Sequence, residues 1–102
     1  MKKAKKFIDD NYTENINVSD VAKTVFLSDD YFSKCFVKSF GTLPKKYILE
    51  KRIEKAKTLL KTTHLTSREI AYSVGFSSPQ RFNNIFADFT GVPPLTYRKN
   101  NV

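Results

Sequence analysis

The sequence is poor in the residues that build disulfides, redox centres and metal sites. Its 102 residues include no Trp, one Cys and one His. The single Cys35 excludes an internal disulfide and fits a reducing compartment, for which we expect the cytoplasm. His64 stands alone, without the Cys and His neighbours that a metal site requires. We therefore expect no cofactor and no metal, and we interpret Cys35 as a small core residue.

Long apolar runs and catalytic motifs are also missing. No run approaches the ~20 residues of a membrane span. The opening "MKKAKKFIDDNY" has no apolar segment after its lysines, unlike a secretory signal. The chain has no Gly-rich phosphate loop, no nucleophile elbow, and no paired carboxylates with a plausible cleft. We expect no enzymatic turnover and no membrane partner.

Acidic residues are few compared with basic ones. Lys and Arg number 18 against 10 Asp and Glu, which gives a formal charge of +8 and a pI near 9.7. The 40% hydrophobic content is enough for the core of one small domain or two very small subdomains. The positive charge favours a polyanionic partner. A general bias towards lysine explains the charge alone equally well.

Two segments of the chain repeat one another. "NVSDVAKTVFLSDDYFSKCFVKSFGTLPKKY" begins at Asn17, and "TSREIAYSVGFSSPQRFNNIFADFTGVPPLTY" begins at Thr66. The match needs one inserted residue, in the turn of the second copy. The pairs occur in the same order and include Ala22 and Ala71, Ser28 and Ser78, Phe32 and Phe82, Phe36 and Phe86, Gly41 and Gly91, Pro44 and Pro94, and Tyr47 and Tyr97. The repeat predicts two similar folding units.

Each copy predicts two short helices. Thr66 and Glu69 have the spacing of a capping box, and Asn17 and Asp20 form a weaker version. The second helices have N-cap and C-cap candidates at Ser28, Ser78, Gly41 and Gly91. Their apolar stripes are Phe32, Cys35, Phe36 and Phe40 in the first copy, and Phe82, Ile85, Phe86 and Phe89 in the second.

A turn separates the two helices of each copy. Gly75 can adopt a positive φ in the second turn, and Phe26 occupies the equivalent place in the first.

Outside the repeats we predict an opening amphipathic helix, a linking helix from Pro44 to about Lys61, and a last helix from Pro93 or Pro94. The predicted fold is all-α, with seven helices and two helix-turn-helix subdomains over 1–43 and 63–102, joined by a linking helix over 44–62. The linking helix has its apolar face at Ile48 or Leu49, Ile53, Ala56, Leu59 and Leu60.

Two helices joined by a tight turn in a basic chain fit a helix-turn-helix, whose second helix lies in the major groove of DNA. The outward residues of the second copy support this interpretation. Asn and Gln match the donor and acceptor of adenine, and Arg matches guanine. Solvated helix faces are the alternative explanation. Asp29 is best explained as favourable negative charge at the start of a helix. Asp30 has either that role or the role of accepting a hydrogen bond from the N4 amino group of cytosine.

The predicted linking helix spans about 27 Å at ~1.5 Å per residue. Successive major-groove faces lie ~34 Å apart, so the helix suits two readers on neighbouring turns of one DNA duplex. Some of its basic residues should contact phosphates, while others are solvated or pair with Glu50 and Glu54. They are Lys45, Lys46, Lys51, Arg52, Lys55, Lys57 and Lys61.

The stretch "IAYSVGFSSPQRFNNIFADFTGVPPLTYR" resembles the second helix-turn-helix of the AraC/XylS family of bacterial transcription regulators. "RIEKAKTLL" resembles the linking helix of that family, and the resemblance covers nearly the whole chain. It implies seven helices and binding at promoters, often as an activator. This sequence differs from the family after Phe86, where Ala87 and Asp88 replace the common basic residues.

The resemblance also implies site residues and partners. Base-reading candidates are Asp30, Ser33 and Lys34 in the first unit and Gln80, Arg81, Asn83 and Asn84 in the second. We assign DNA-backbone contacts to Ser28, Lys45, Lys46, Ser78 and Arg98. The implied partners are double-stranded promoter DNA and RNA polymerase. We expect the protein to be associated with the nucleoid. Many members carry an effector, receiver or dimerisation domain, and the chain is either a fragment of such a regulator or a short member.

Two other classes of protein are compatible with these features. A protein-interaction module would use its basic faces on an acidic partner. A sequence-blind nucleic-acid binder would lose affinity steeply with salt, with little difference between DNA sequences. The amide-rich face of the second unit favours sequence reading over both.

Overall fold

The computed structural model describes residues 1–101 and contains seven helices and no strand within them. The helices are α1 (Lys2–Asn11), α2 (Val18–Thr24), α3 (Asp29–Phe40), α4 (Pro44–Thr62), α5 (Ser67–Ser73), α6 (Pro79–Thr90) and α7 (Pro94–Asn100). The all-α prediction is confirmed. The linking helix is α4, and its bounds agree with the range 44–62 expected from the sequence.

The helices begin where local hydrogen bonds satisfy their free N–H groups. The backbone N–H of Glu69 donates to the Thr66 hydroxyl at 3.0 Å, and the Thr66 N–H donates to the Glu69 carboxylate at 3.0 Å. Asn17 and Asp20 form the same reciprocal pair, at 2.8 and 3.0 Å. Both capping boxes are therefore complete, including the one expected to be weaker.

The second helix of each unit is bounded as predicted. Ser28 accepts a hydrogen bond from the Tyr31 N–H at the start of α3, and Ser78 accepts one from the Arg81 N–H at the start of α6. Both helices end in a glycine with left-handed backbone. These ends give α3 and α6 the same length of 12 residues.

The two units have nearly identical aromatic cores. Phe32 and Phe36 have ring centroids 5.7 Å apart and planes at 57°, and Phe82 and Phe86 have the same values. A tyrosine from the following helix completes each cluster, namely Tyr47 against Phe36 and Tyr97 against Phe86. Tilted aromatic contacts of this kind stabilise a core beyond the area that they bury. The repeat in the sequence is thus a repeat in packing.

One stripe residue lies outside the core. Phe89 is 39% exposed, so the prediction that it belongs to the buried face of α6 is wrong. It lies in the last turn of α6, just before the chain turns away at Gly91. Cys35, Ile85 and Phe40 are only half-buried, at the edges of the two cores.

Helix α4 belongs to both cores. Ile48 packs in the first core, while Ile53, Ala56 and Leu60 pack in the second. Ile48 is buried and Leu49 is half-buried, which resolves the choice that the sequence left open. The described part of the chain is elongated, with extents of 43 × 21 × 21 Å. One continuous helix, packed in both cores, connects the two units.

Candidate nucleic-acid interface

Three amide side chains form a row along α6. Gln80 and Asn84 are exposed, and the Gln80 amide donates to Asn84 Oδ1 at 3.3 Å. Asn83 is half-buried, and its Oδ1 accepts a hydrogen bond from the Ser67 hydroxyl of α5 at 3.3 Å. Asn83 is therefore held by the first helix of its unit. Within residues 1–101, the side chains of Gln80 and Asn84 bond only to each other, so both remain open to a ligand.

The corresponding row on α3 carries different chemistry. Asp30 and Lys34 are exposed and Ser33 is half-buried. No ion pair or side-chain hydrogen bond joins these three to another residue in the part of the chain that the structure describes. Asp29 differs, because its carboxylate accepts a hydrogen bond from the Ser19 hydroxyl at 3.2 Å. Asp29 therefore connects α2 to α3, a structural contact in addition to the favourable helix-start charge expected of it.

A cleft of about 390 Å³ opens between the two units. It is lined by the start of α2, by Asp29 at the start of α3, by one side of α4, and by Arg81 near the start of α6. Arg81 thus borders this cleft rather than extending the row of amides. The starts of α3 and α6 open onto the same space.

The floor of that cleft holds a residue whose role the sequence did not reveal. Arg52 is only 9% exposed, and its guanidinium donates to the carbonyl oxygens of Tyr12 at 2.6 Å and Glu14 at 3.0 Å. Its Cζ lies 5.6 Å from the Phe76 ring. Burial, followed by the nearby charge of Arg81, lowers the pKa of Arg52.

Arg52 was expected among the basic residues of α4 that are solvated or paired with glutamate, and both expectations are corrected, because it is buried and bonded to two backbone carbonyl oxygens. It follows Ile48 by four residues and precedes Ala56 by four, so it lies within the apolar stripe of α4. That spacing was the available signal for a buried arginine. Its partners, about 40 residues away along the chain, were not readable from any local pattern.

Arg98 has a similar role at the other end of the molecule. Its Nε donates to the Leu60 carbonyl at 2.9 Å, and its Nη2 donates to the Thr63 carbonyl at 3.1 Å. These bonds satisfy free carbonyl groups at the end of α4. Because the guanidinium is bonded within the protein, we replace its assignment to the DNA backbone with this structural one.

The other residues assigned to DNA-backbone contacts differ in how far their side chains are engaged within the protein. Lys45 and Lys46 are exposed and form no ion pair within residues 1–101. The hydroxyl oxygens of Ser28 and Ser78 accept backbone hydrogen bonds as helix caps. Each hydroxyl group can still donate its proton to an external acceptor such as a phosphate oxygen. Two linker lysines are engaged, since Lys51 lies 3.5 Å from Asp9 and Lys57 lies 3.0 Å from Glu54.

Residues 1–101 contain no group of three or more His, Cys, Asp or Glu side chains that could hold a metal ion. No helix in that range is long and apolar enough to cross a membrane.

Residues 21–100 match a family model described as a helix-turn-helix domain. The chain belongs to the AraC/XylS family. This AraC/XylS chain is 38% identical over 95 residues to the Msm operon regulatory protein of Streptococcus mutans, covering 93% of the chain and 34% of that protein. It is 34% identical over 93 residues to the melibiose operon regulatory protein of Escherichia coli K12, covering 91% of the chain and 31% of that protein. It therefore spans about a third of the length of these curated relatives.

Solved AraC/XylS-type structures agree with the fold. The C-terminal domain of the response regulator yesN from Fusobacterium nucleatum is 38% identical, with a TM-score of 0.90 and 93% of each chain covered. The DNA-binding domain of AdpA, solved with a target DNA, has a TM-score of 0.91 at 24% identity, covering 97% of this chain and 89% of that one. The second likeness shows the fold alone.

Proposed function

We propose that this AraC/XylS domain binds double-stranded promoter DNA sequence-specifically, with α3 and α6 in neighbouring major grooves. The observation that carries the proposal is the pair of matching helix-turn-helix units on one continuous helix, with the starts of both reader helices opening onto one cleft. The 19 residues of α4 span about 28 Å at ~1.5 Å per residue. This length and the 43 Å long axis suit grooves ~34 Å apart.

The side chains divide into two proposed roles. Base edges are read by Asp30, Ser33 and Lys34 from α3 and by Gln80, Asn83 and Asn84 from α6. Backbone phosphates are bound by Lys45 and Lys46, with the hydroxyls of Ser28 and Ser78 as further donors. Arg81 was first expected to read a base; because it borders the cleft, we now propose a phosphate for it.

The full protein is proposed to regulate transcription in a bacterial cytoplasm, by activation. Relatives that are named operon regulatory proteins support a regulatory role. An effector, receiver or dimerisation domain, and contact with RNA polymerase, belong to this proposal because the chain covers only about a third of those relatives. The division into 1–43, 44–62 and 63–102 is kept as the working domain map, and no catalytic activity is proposed.

The first test is enrichment of binding sites from random DNA duplexes at near-physiological salt. We expect a motif with two parts about one helical turn apart, because the two readers are fixed on one helix. A motif with one part would mean that one unit reads bases and that the other binds the DNA backbone without sequence preference. Binding without a motif would identify a sequence-blind binder, and no binding would return the case to a protein-interaction module.

The Asn84 side chain offers a sharper test of base reading. Asn84→Ala should cost ~1–3 kcal/mol at particular base pairs, because an exposed amide that pairs with adenine is removed. Binding of the enriched site and of single-base variants would be measured for each protein. Lys46→Ala is the matched control, since loss of a phosphate contact should weaken all sequences alike and flatten the salt dependence. Equal losses for Asn84→Ala on specific and random DNA would contradict base reading.

A further inference from the structure

The cleft between the two units concentrates positive charge. Lys45, Arg52 and Arg81 line it, and the one carboxylate among its lining residues is that of Asp29. Arg52 is buried, whereas Lys45 and Arg81 are exposed, so the charges run from the floor to the rim. Like charges gathered in a partly enclosed space favour an anion, because water screens them incompletely there.

Within residues 1–101, the protein neutralises this charge only in part, because one carboxylate, that of Asp29, lines the cleft with three cationic side chains. Among the described residues, no salt bridge involves Lys45, Arg52 or Arg81. The Asp29 carboxylate already accepts a hydrogen bond from Ser19. The two carbonyl partners of Arg52 take its Nε and Nη2, and no hydrogen bond within residues 1–101 involves its Nη1. Donors and charge both remain for an external group.

We propose that this cleft is an oxyanion site, in which Arg81 and Lys45 at the rim and Arg52 at the floor bind a phosphate ester. Guanidinium groups are suited to phosphate because their N–H groups match two of its oxygens. The apolar wall formed by Val18, Ile48 and Leu49 would contact the organic part of the ester. The phosphate comes either from the DNA backbone between the two half-sites or from a small organic phosphate.

An anion in this position would connect the two units. Arg81 belongs to the second reader helix, Lys45 and Arg52 belong to α4, and the opposite wall belongs to the first unit. A bound phosphate would therefore stabilise one relative placement of the readers. The DNA source rests on the proposed function, whereas the small-molecule source is independent of it.

The first experiment uses the protein without DNA. Inorganic phosphate is titrated against chloride at matched ionic strength, and the arginine side-chain N–H signals are followed by NMR. Arg81→Gln and Lys45→Gln should each weaken binding about tenfold, as expected for loss of a charge-assisted hydrogen bond. Arg68→Gln is the matched control, because Arg68 is exposed on α5 against the Tyr72 ring and does not line the cleft. All three residues are exposed, so folding should be retained.

The second experiment identifies the source of the phosphate. Single methylphosphonate groups, which lack the phosphate charge, are placed along the enriched DNA site. If the cleft binds the DNA backbone, a methylphosphonate at one position should weaken DNA binding by the wild type. The same methylphosphonate should cause no further loss of affinity in Arg81→Gln, which already lacks the contact. Saturable phosphate binding without any such position would assign the site to a small organic phosphate.

The proposal is overturned if neither experiment responds to the rim residues. In that outcome, wild type, Arg81→Gln and Lys45→Gln bind inorganic phosphate equally. In addition, at every position the loss of DNA affinity caused by the methylphosphonate adds to the loss caused by Arg81→Gln. Absence of DNA binding would reject the proposed function, but the phosphate titration would still decide whether the cleft is a site.

Discussion

At the scale of the residue, Phe26 has an unusual conformation. It lies in the turn between α2 and α3 with φ of 58° and is 91% exposed, whereas Gly75 has the equivalent place in the second unit. A left-handed backbone costs an L-residue roughly 1–2 kcal/mol, and glycine avoids this cost. The side chain makes little contact that would offset it. The first unit therefore carries backbone strain that the second unit lacks.

Phe26→Gly should be more stable than Phe26→Ala by about 1 kcal/mol, because both variants lose the ring but only glycine relieves the strain. Urea unfolding of the two variants measures the difference. The alanine variant is the control for loss of the aromatic side chain. Equal stability of the two would show that the turn relaxes around a Cβ atom.

At the scale of the element, a polar cluster joins α1 to α4. The Tyr47 hydroxyl donates to Asp9 at 2.5 Å, while Lys5 and Lys51 lie 3.3 and 3.5 Å from the same carboxylate. Burial raises the pKa of Asp9, but the Tyr47 hydrogen bond and the two lysines outweigh it, so the pKa is lowered overall. Burial and the bond to Asp9 raise the pKa of Tyr47, which keeps its hydroxyl a donor.

A lowered carboxylate pKa makes stability depend on pH. The contribution of Asp9 is fully present above its unfolded pKa of about 3.9 and is lost as pH falls through the lower folded value. Asp9→Asn should therefore reduce stability at pH 7 and weaken the pH dependence below about pH 4. Thermal unfolding from pH 7 to pH 2 measures both effects. Asp10→Asn is the control, since the Asp10 carboxylate pairs with Lys6 on the exposed side of α1 and lies outside the cluster. An equal effect of Asp10→Asn would contradict the role of the cluster.

At the scale of the whole molecule, three segments meet at Gly75. A Cβ atom placed there would lie 2.8 Å from Arg52 Nε, 2.9 Å from the Tyr12 carbonyl oxygen and 3.1 Å from that of Thr13. The turn of the second unit therefore packs directly on the segment after α1 and on the buried arginine of α4. We expect this junction, together with α4 itself, to set how α3 and α6 are placed relative to one another.

Gly75→Ala should destabilise the protein by about 1–3 kcal/mol, because its φ of 108° is unfavourable for alanine and the junction must open. It should also weaken binding to a two-part DNA site more than binding to either half alone. Gly91→Ala is the matched control, with a φ of 85° but nothing within 4 Å of the added Cβ atom. If the two variants lose affinity for the full site equally, the junction does not position the readers.

The sequence by itself determined the helices, their ends and the duplication. These features depend on interactions within a few residues: the 3.6-residue period of the apolar stripes, the capping pairs Asn17 with Asp20 and Thr66 with Glu69, and the turn at Gly75. The order of matching residues in the two copies predicted the repeated cores because the same stripes pack in the same way. The base-reading residues were implied by the family resemblance, with support from the amide-rich face of the second copy, and base reading stays a prediction.

Only the tertiary structure decided the roles of the arginines. Arg52, Arg81 and Arg98 are similar in sequence terms, yet one bonds the segment after α1, one borders the cleft and one caps α4. The partners of Arg52 and Arg98 lie in other segments of the chain, 35 to 40 residues away. The spacing of Arg52 within the apolar stripe of α4 signals burial, but no periodic pattern identifies the partners of a long, flexible cationic side chain. Its role follows from which carbonyl groups and charges the packed helices bring within its reach.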